Sequence, residues 1–253
     1  MKRSLIASAL VFVFFAGLPA SARTLELCTA SVSDDSMSPL LRQASGLRKE
    51  VLRLALDATA CAAQQGLVKR RDLITVIDYS LPSSQPRLFV FDLAARKLLF
   101  RELVAHGKTT GGDRATFFSN RPGSLATSIG LYVTADTYVG GNGYSLRLRG
   151  LEEGINDRAW DRAIVMHGAS YVSAKAVQAL GRLGRSWGCP AVRREIAGKV
   201  INTLRGGSPI FAYYPDRNWL ERSPFFKRDK NSPPAQAKPI YTASAAGSIA
   251  ALD

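Results

Sequence analysis

From Leu73 onward the sequence is cut into short β-branched and aromatic runs. "LITVIDY", "RLFVFDL" and "KLLFRELVAH" are separated by Pro, Ser or charged turns. Runs of this length and composition predict strands rather than helices. The stretch 106–150 is rich in Gly, Ser, Thr and Tyr and holds two more such runs, "SIGLYVTADTY" and "YSLRLRG"; "RAIVMHG" and "PIFAYY" follow. So much strand in short pieces, with few helical segments between, predicts a mainly β domain. Three helices are expected. Leu47, Val51, Leu54, Ala55, Ala58 and Ala62 share one helical face, with Gly66 as a stop. Ser173 can cap "AKAVQALGRLG", with Val177, Leu180 and Leu183 on one side. "PAVRREIAGKVINTLRGG" suits a helix with Pro190 at its first position, a stripe of Val192, Ile196, Val200 and Leu204, and Gly206-Gly207 at its end.

The two ends differ from the middle. Lys2 and Arg3, the apolar "LIASALVFVFFAGL" and the small residues of "ASA" read as an export signal over 1–22; the other reading is an uncleaved N-terminal anchor. Residues 23–69 form an N-terminal helical segment, 70–222 the strand-rich domain, and 223–253 a flexible C-terminal tail rich in Pro, Ala, Ser and Lys. No second long apolar run follows, so the expected protein is periplasmic or secreted, without stable membrane insertion after signal cleavage, and a monomer. The net charge of +14 suits an anionic partner. Its basic residues are scattered and form no nucleic-acid-binding signature, which argues against that class of partner. An odd cysteine count in an oxidising compartment suggests one bridge and one thiol. Cys28 and Cys61 are the plausible pair, leaving Cys189 free.

Cys189 lies in "GRLGRSWGCPAVRRE", a glycine-flanked turn with a proline directly after it. If a helix starts at Pro190, Cys189 occupies its cap, where the helix dipole lowers a thiol pKa. Arg185, Arg193 and Arg194 push the same way. Gly188 leaves room for a substrate carbonyl, and the backbone N–H groups of Gly188 and Cys189 can serve an oxyanion. Two readings stand: a nucleophile, or a small apolar cysteine tucked under a turn. A nucleophile needs a base, and the chain offers two histidines. His167 ends a strand run and precedes Gly168; His106 does the same before Gly107.

"MHGASYVS…GRSWGCPAV" resembles the signature of the YkuD-type L,D-transpeptidase catalytic domain, in the branch of murein L,D-transpeptidase catalytic domain proteins. "DYSLPSSQPRLFVFDL", "VAHGKTTG" and "YSLRLRGLEEGIND" fit that branch as well, so the resemblance spans about residues 70–215. It implies a β-sandwich-like fold and an exported enzyme acting on peptidoglycan stem peptides. No cofactor or metal is expected. Carried onto this sequence, it makes Cys189 the nucleophile and His167 the general base, oriented by the carbonyl of Gly168. Ser186, Trp187 and Gly188 form the motif turn. Cys189 would attack the carbonyl at the L-centre of the diamino acid at stem position three. The resulting thioester would be resolved by an amine, giving a 3–3 cross-link, or by water.

The chain departs from the common pattern in two places. Trp187 stands where histidine is usual between Ser and Gly, and Ala191 where arginine is usual two residues after the cysteine. His106 is either a second imidazole that fills the gap or a structural hydrogen-bonding residue. Arg193 either meets a substrate carboxylate or is a solvated helix charge; Arg185 and Tyr171 are further candidates for substrate contact. Trp187 either stacks on substrate or packs over the turn. Three rival readings remain. Two His and one Cys are possible zinc ligands, but their spacing matches no short ligand motif. Cell-wall peptidases of the NlpC/P60 type run Cys before His, the reverse of the order here. A non-enzymatic wall-binding protein is compatible with the charge but not suggested by an intact His167–Cys189 pair.

Overall fold

The computed structural model describes Cys28 and residues 33–226. The export signal expected over 1–22, and the tail beyond 226, lie outside the described residues. Nine strands of the described residues form one sheet: β1 (Leu73–Asp78), β2 (Leu88–Asp92), β3 (Lys97–Glu102), β4 (Val104–Ala105), β5 (Gly130–Gly140), β6 (Gly143–Gly150), β7 (Val165–Ala169), β8 (Ala191–Arg193) and β9 (Pro209–Tyr213). Their order is β3-β2-β1-β9-β5-β6-β7-β8-β4. β1–β9 and β7–β8 are parallel and the remaining pairs antiparallel. The fold is mainly β, as the runs predict.

The topology forces a curl. β3 and β4 stand at opposite edges of the sheet, yet Leu103 alone separates them in the chain. The two edges must therefore meet, and the sheet is nearly closed. Arg87, just before β2, ties the seam. It is fully buried, and its Nε and Nη2 donate to the Val104 carbonyl of β4 at 3.1 and 2.8 Å. Its Nη1 donates to Leu81 O at 2.9 Å, and its guanidinium lies 5.0 Å from the Tyr79 ring centroid. A second tie across the seam is bidentate: Arg193 of β8 donates to both carboxylate oxygens of Glu102 of β3, at 2.8 Å each.

Among the described residues five α-helices dress the sheet: α1 (Asp34–Gln43), α2 (Lys49–Gln64), α3 (Ala174–Leu180), α4 (Arg194–Leu204) and α5 (Arg217–Arg222). α2 follows the apolar stripe in the sequence, burying Val51, Ala55, Ala58 and Ala62. Cys61 on α2 is joined to Cys28 by a disulfide, and Cys189 is a free cysteine. Helix α1 falls within the expected helical segment but shows no apolar stripe there, because its polar sequence buries only Met37 and Leu40 and relies on packing against α2 and β3. On α3 the Ser173 cap forms, with Oγ accepting from Ala176 N, but Leu180 is exposed rather than packed.

The largest difference from expectation concerns the segment after Cys189. The helix does not begin at Pro190. Ala191–Arg193 instead form β8, paired in parallel with β7 and antiparallel with β4, and α4 starts only at Arg194. Helical periodicity runs through Val192, but two open ladder edges claim those residues first. The chain also stays packed past residue 223. Phe225 is buried in the core, and α5 is held through Trp219, whose Nε1 donates to the buried carboxylate of Glu152 at 2.8 Å. Glu152 also accepts from Leu131 N on β5 at 2.6 Å.

Replacing Arg87 with Met keeps the stem but strands the carbonyls of Val104 and Leu81 without their donors. Urea unfolding of Arg87→Met is expected to show a loss of about 1–3 kcal/mol, the usual cost of leaving buried acceptors without their donors.

Candidate active site

The motif turn is built by backbone pairing with the loop after β4. Ser186 forms a parallel bridge with Gly107; its N–H donates to His106 O at 3.0 Å, and its carbonyl accepts from Lys108 N at 2.7 Å. The buried Ser186 hydroxyl clasps the turn, accepting from Gly188 N at 3.1 Å and donating to Cys189 O at 2.6 Å. Thr127 adds a second clamp, since its Oγ1 donates to Gly188 O at 3.1 Å and accepts from Gly107 N at 2.9 Å. Gly188 takes φ +114°, and a Cβ there would lie 2.7 Å from the Ala126 carbonyl oxygen, so only glycine fits. Because Ser186 already takes the Gly188 N–H, that donor is engaged within the turn.

Cys189 is buried, and its sulfur rests against β7. Sγ accepts from Val165 N at 3.4 Å and lies 3.9 Å from Ala163 O. Burial pushes the thiol above its ordinary pKa; the Val165 N–H and the charge of Arg162 pull weakly the other way. This reverses the expectation of a helix-activated thiolate, because the helix start lies at Arg194. Two of the three expected arginines are occupied elsewhere, and Arg194 lines the cleft beside His167. Arg185 donates to Lys108 O and Gly111 O, and Arg193 is held by Glu102. Arg162, which sequence reading missed, supplies the nearby cation. Its Nη1 donates to Ser119 O and Ser128 Oγ, and its Nη2 to Ala126 O and Ser124 Oγ. Neither Arg162 nor Thr127 belongs to a local motif, and each reaches the turn only through the fold.

His167 sits on β7, two residues after Val165, opposite Ser145 of β6 and beside Ala191 of β8. Its Nδ1 lies 3.2 Å from the carbonyl of Gly168. Burial lowers its pKa, opposed by that carbonyl contact, so the imidazole is neutral at pH 7. Gly168 admits α4 against the strand, since a Cβ there would meet Ala197 Cβ at 2.8 Å. No direct hydrogen bond joins Cys189 to His167 among the described residues; β7 is what brings them together. A cleft of about 400 Å³ opens beside His167, walled by Tyr144, Ser170, Tyr171 and Arg194. Tyr171 is half-buried, with its hydroxyl pushed up to about 12 by burial first and by Cys189 second. Trp187 is 76% exposed.

His106 is turned away from the turn it supports. Its Nδ1 accepts from Arg87 Nη2 at 2.7 Å, and Nε2 faces the Gly111 carbonyl at 3.4 Å. Burial, then the Arg87 charge, lowers its pKa to about 4. Among the described residues, no group of three or more His, Cys, Asp or Glu side chains is placed to hold a metal ion. No described helix is long and apolar enough to cross a membrane.

Fold and site together describe a curled β domain built around one free thiol, with a histidine on the adjoining strand. The chain belongs to the L,D-transpeptidase catalytic domain family, which it matches over residues 43–213. No curated protein sequence matches it. Among solved structures it is similar to an L,D-transpeptidase from Mycobacterium smegmatis, with 13% identity, 56% of this chain, 59% of that one and a TM-score of 0.36. An L,D-transpeptidase from Stackebrandtia nassauensis shows 14% identity over 64% and 67% of the two chains, with a TM-score of 0.35. The helical cell shape determining protein Pgp2 from Campylobacter jejuni shows 14% identity over 60% and 51%, with a TM-score of 0.39. The chain thus spans between about half and two thirds of the length of these structures.

The low pKa of His106 has a sign that stability measurements can read. Unfolded, the ring takes a proton near 6.5; folded, it does so only near 4. Its contribution to stability is therefore present above pH 6.5 and lost as pH falls toward 4. Urea midpoints at pH 7 and 4.5 should fall for the wild type and fall less for His106→Gln. His167 supplies a share of the slope that remains.

Proposed function

We propose that this protein is an exported peptidoglycan L,D-transpeptidase in which Cys189 is the nucleophile and His167 the general base. The observation that carries the reading is the seat of the sulfur. It is held on the N–H of Val165, two residues before His167 along β7, in a chain of the L,D-transpeptidase catalytic domain family. With the thiol raised and the imidazole lowered, the resting pair is neutral. His167 takes the thiol proton as sulfur bonds to the carbonyl carbon at the L-centre of the position-three diamino acid. The tetrahedral intermediate collapses, the bond to the terminal D-alanine breaks, and His167 returns the proton to the leaving amine. A neighbouring stem's amine then attacks the thioester, His167 accepts its proton, and the thiol reforms with a 3–3 cross-link. Water in place of that amine gives the trimmed stem.

The test is covalent labelling. Incubated with a carbapenem, the wild type should gain the mass of one adduct, mapping to Cys189, while Cys189→Ala gains none. On muropeptides, Cys189→Ala should lose cross-linking and trimming together. Retained activity in Cys189→Ala would end this reading, and loss of wild-type activity on chelation would favour a metal-dependent one.

A further inference from the structure

The face of the sheet that carries His167 continues across β6 and β5. Partners in a ladder share a face. The register links Tyr138 to Ser145, Ser145 to His167 and His167 to Ala191, one row across four strands. One step along that face, Arg147 pairs with Val165, whose N–H holds the Cys189 sulfur. Arg149 follows two residues later on the same face.

These two arginines are stacked. The Arg147 guanidinium carbon lies 4.5 Å from the Tyr138 ring centroid and 5.2 Å from that of Trp160; Arg149 lies 4.9 Å from the same Trp160 ring. Trp160 is 38% exposed. Neither arginine has a carboxylate or hydrogen-bond partner among the described residues. Stacking satisfies the flat face of a guanidinium and leaves its N–H edge free, the edge that matches a carboxylate in bidentate fashion. Two like charges on one face, uncompensated by an acid, gain from an anion placed between them. The aromatic rings hold both forks in place before a ligand arrives.

We propose that Arg147 and Arg149, held on Trp160, form a subsite for the carboxylates of an acidic peptide substrate lying across β5 to β7. Geometry sets the reach. Arg147 is about two strand spacings, roughly 10 Å, from the Cys189 sulfur, and three extended residues span about the same length. A carboxylate at the end of a long side chain on the residue under attack, or on the residue next to it, lies within that reach of the carbonyl. It rests on the reading of Cys189 as the nucleophile of a peptide substrate, and it supplies that site with a charge-selective arm.

Binding can be measured separately from the chemistry, in protein carrying Cys189→Ala. Calorimetric titration would compare a synthetic peptidoglycan stem tetrapeptide bearing free side-chain carboxylates with the same peptide amidated at those groups. Adding Arg147→Ala and Arg149→Ala should weaken the acidic peptide at least tenfold and bring it level with the amidated one. If the double variant melts early, Arg149→Gln alone, at an exposed position, should still weaken the acidic peptide at least threefold. Affinity within twofold of the parent, or equal binding of both peptides by the parent, would overturn the subsite. The carbapenem adduct on the wild type distinguishes the two failures. An adduct with unchanged peptide affinity sinks the subsite alone, whereas no adduct sinks the reading of Cys189.

Discussion

One buried cation sets the geometry of everything downstream. Arg87 stands where the curled sheet closes, and its guanidinium reaches Val104 O on the β4 edge, Leu81 O in the loop between β1 and β2, and the ring of His106. Burial lowers its pKa to about 10, still far above neutrality, so it stays charged and must stay paired. That pairing decides where the loop after β4 runs. The loop's backbone in turn bridges Ser186, and Ser186 clasps the turn that ends in Cys189. The cysteine is thus located by a chain of contacts that starts at a seam on the other side of the motif. His106 belongs to that chain as a neutral acceptor, and it acts on the turn through its backbone carbonyl.

The second constraint is burial of the thiol. A cysteine at a helix start gains from the dipole; one packed against β7 does not. Here the helix begins after β8, and burial outweighs both the Val165 N–H and Arg162. Burial also depresses His167, so the two groups move apart in pKa and the uncharged pair is favoured. β7 carries His167 and seats the Cys189 sulfur on its Val165 N–H, so the strand brings the two groups together without a direct bond between them.

Much of this was legible in the residues. The β runs located every long strand, because pairing on a curled sheet keeps apolar residues buried along β1, β2 and β9. The pattern His-Gly followed by Ser-Trp-Gly-Cys pointed to the cysteine turn directly. What escaped notice was settled by contacts distant in sequence. β8 took residues that carry a helical stripe, since two ladder edges were waiting for them. Leu180 obeys helical spacing yet faces solvent, because α3 is too short to bury its last turn. Arg193 matched a substrate-binding role in sequence but finds its carboxylate in Glu102, 91 residues away. Thr127 and Arg162 sit in polar stretches with no periodicity, and only the assembled fold brings them under Gly188 and Cys189.

The central claim is that a neutral thiol–imidazole pair does the chemistry, and the pH dependence of adduct formation at Cys189 tests it most directly. The second-order rate constant for carbapenem acylation should be level between about pH 6.5 and 9, the ordinary values that His167 lies below and Cys189 above. It should fall on the acid side with a midpoint below 6.5, as His167 takes a proton. An acid limb centred above 6.5, or a rate climbing steadily from pH 6.5 to 9 as thiolate accumulates, would contradict the account.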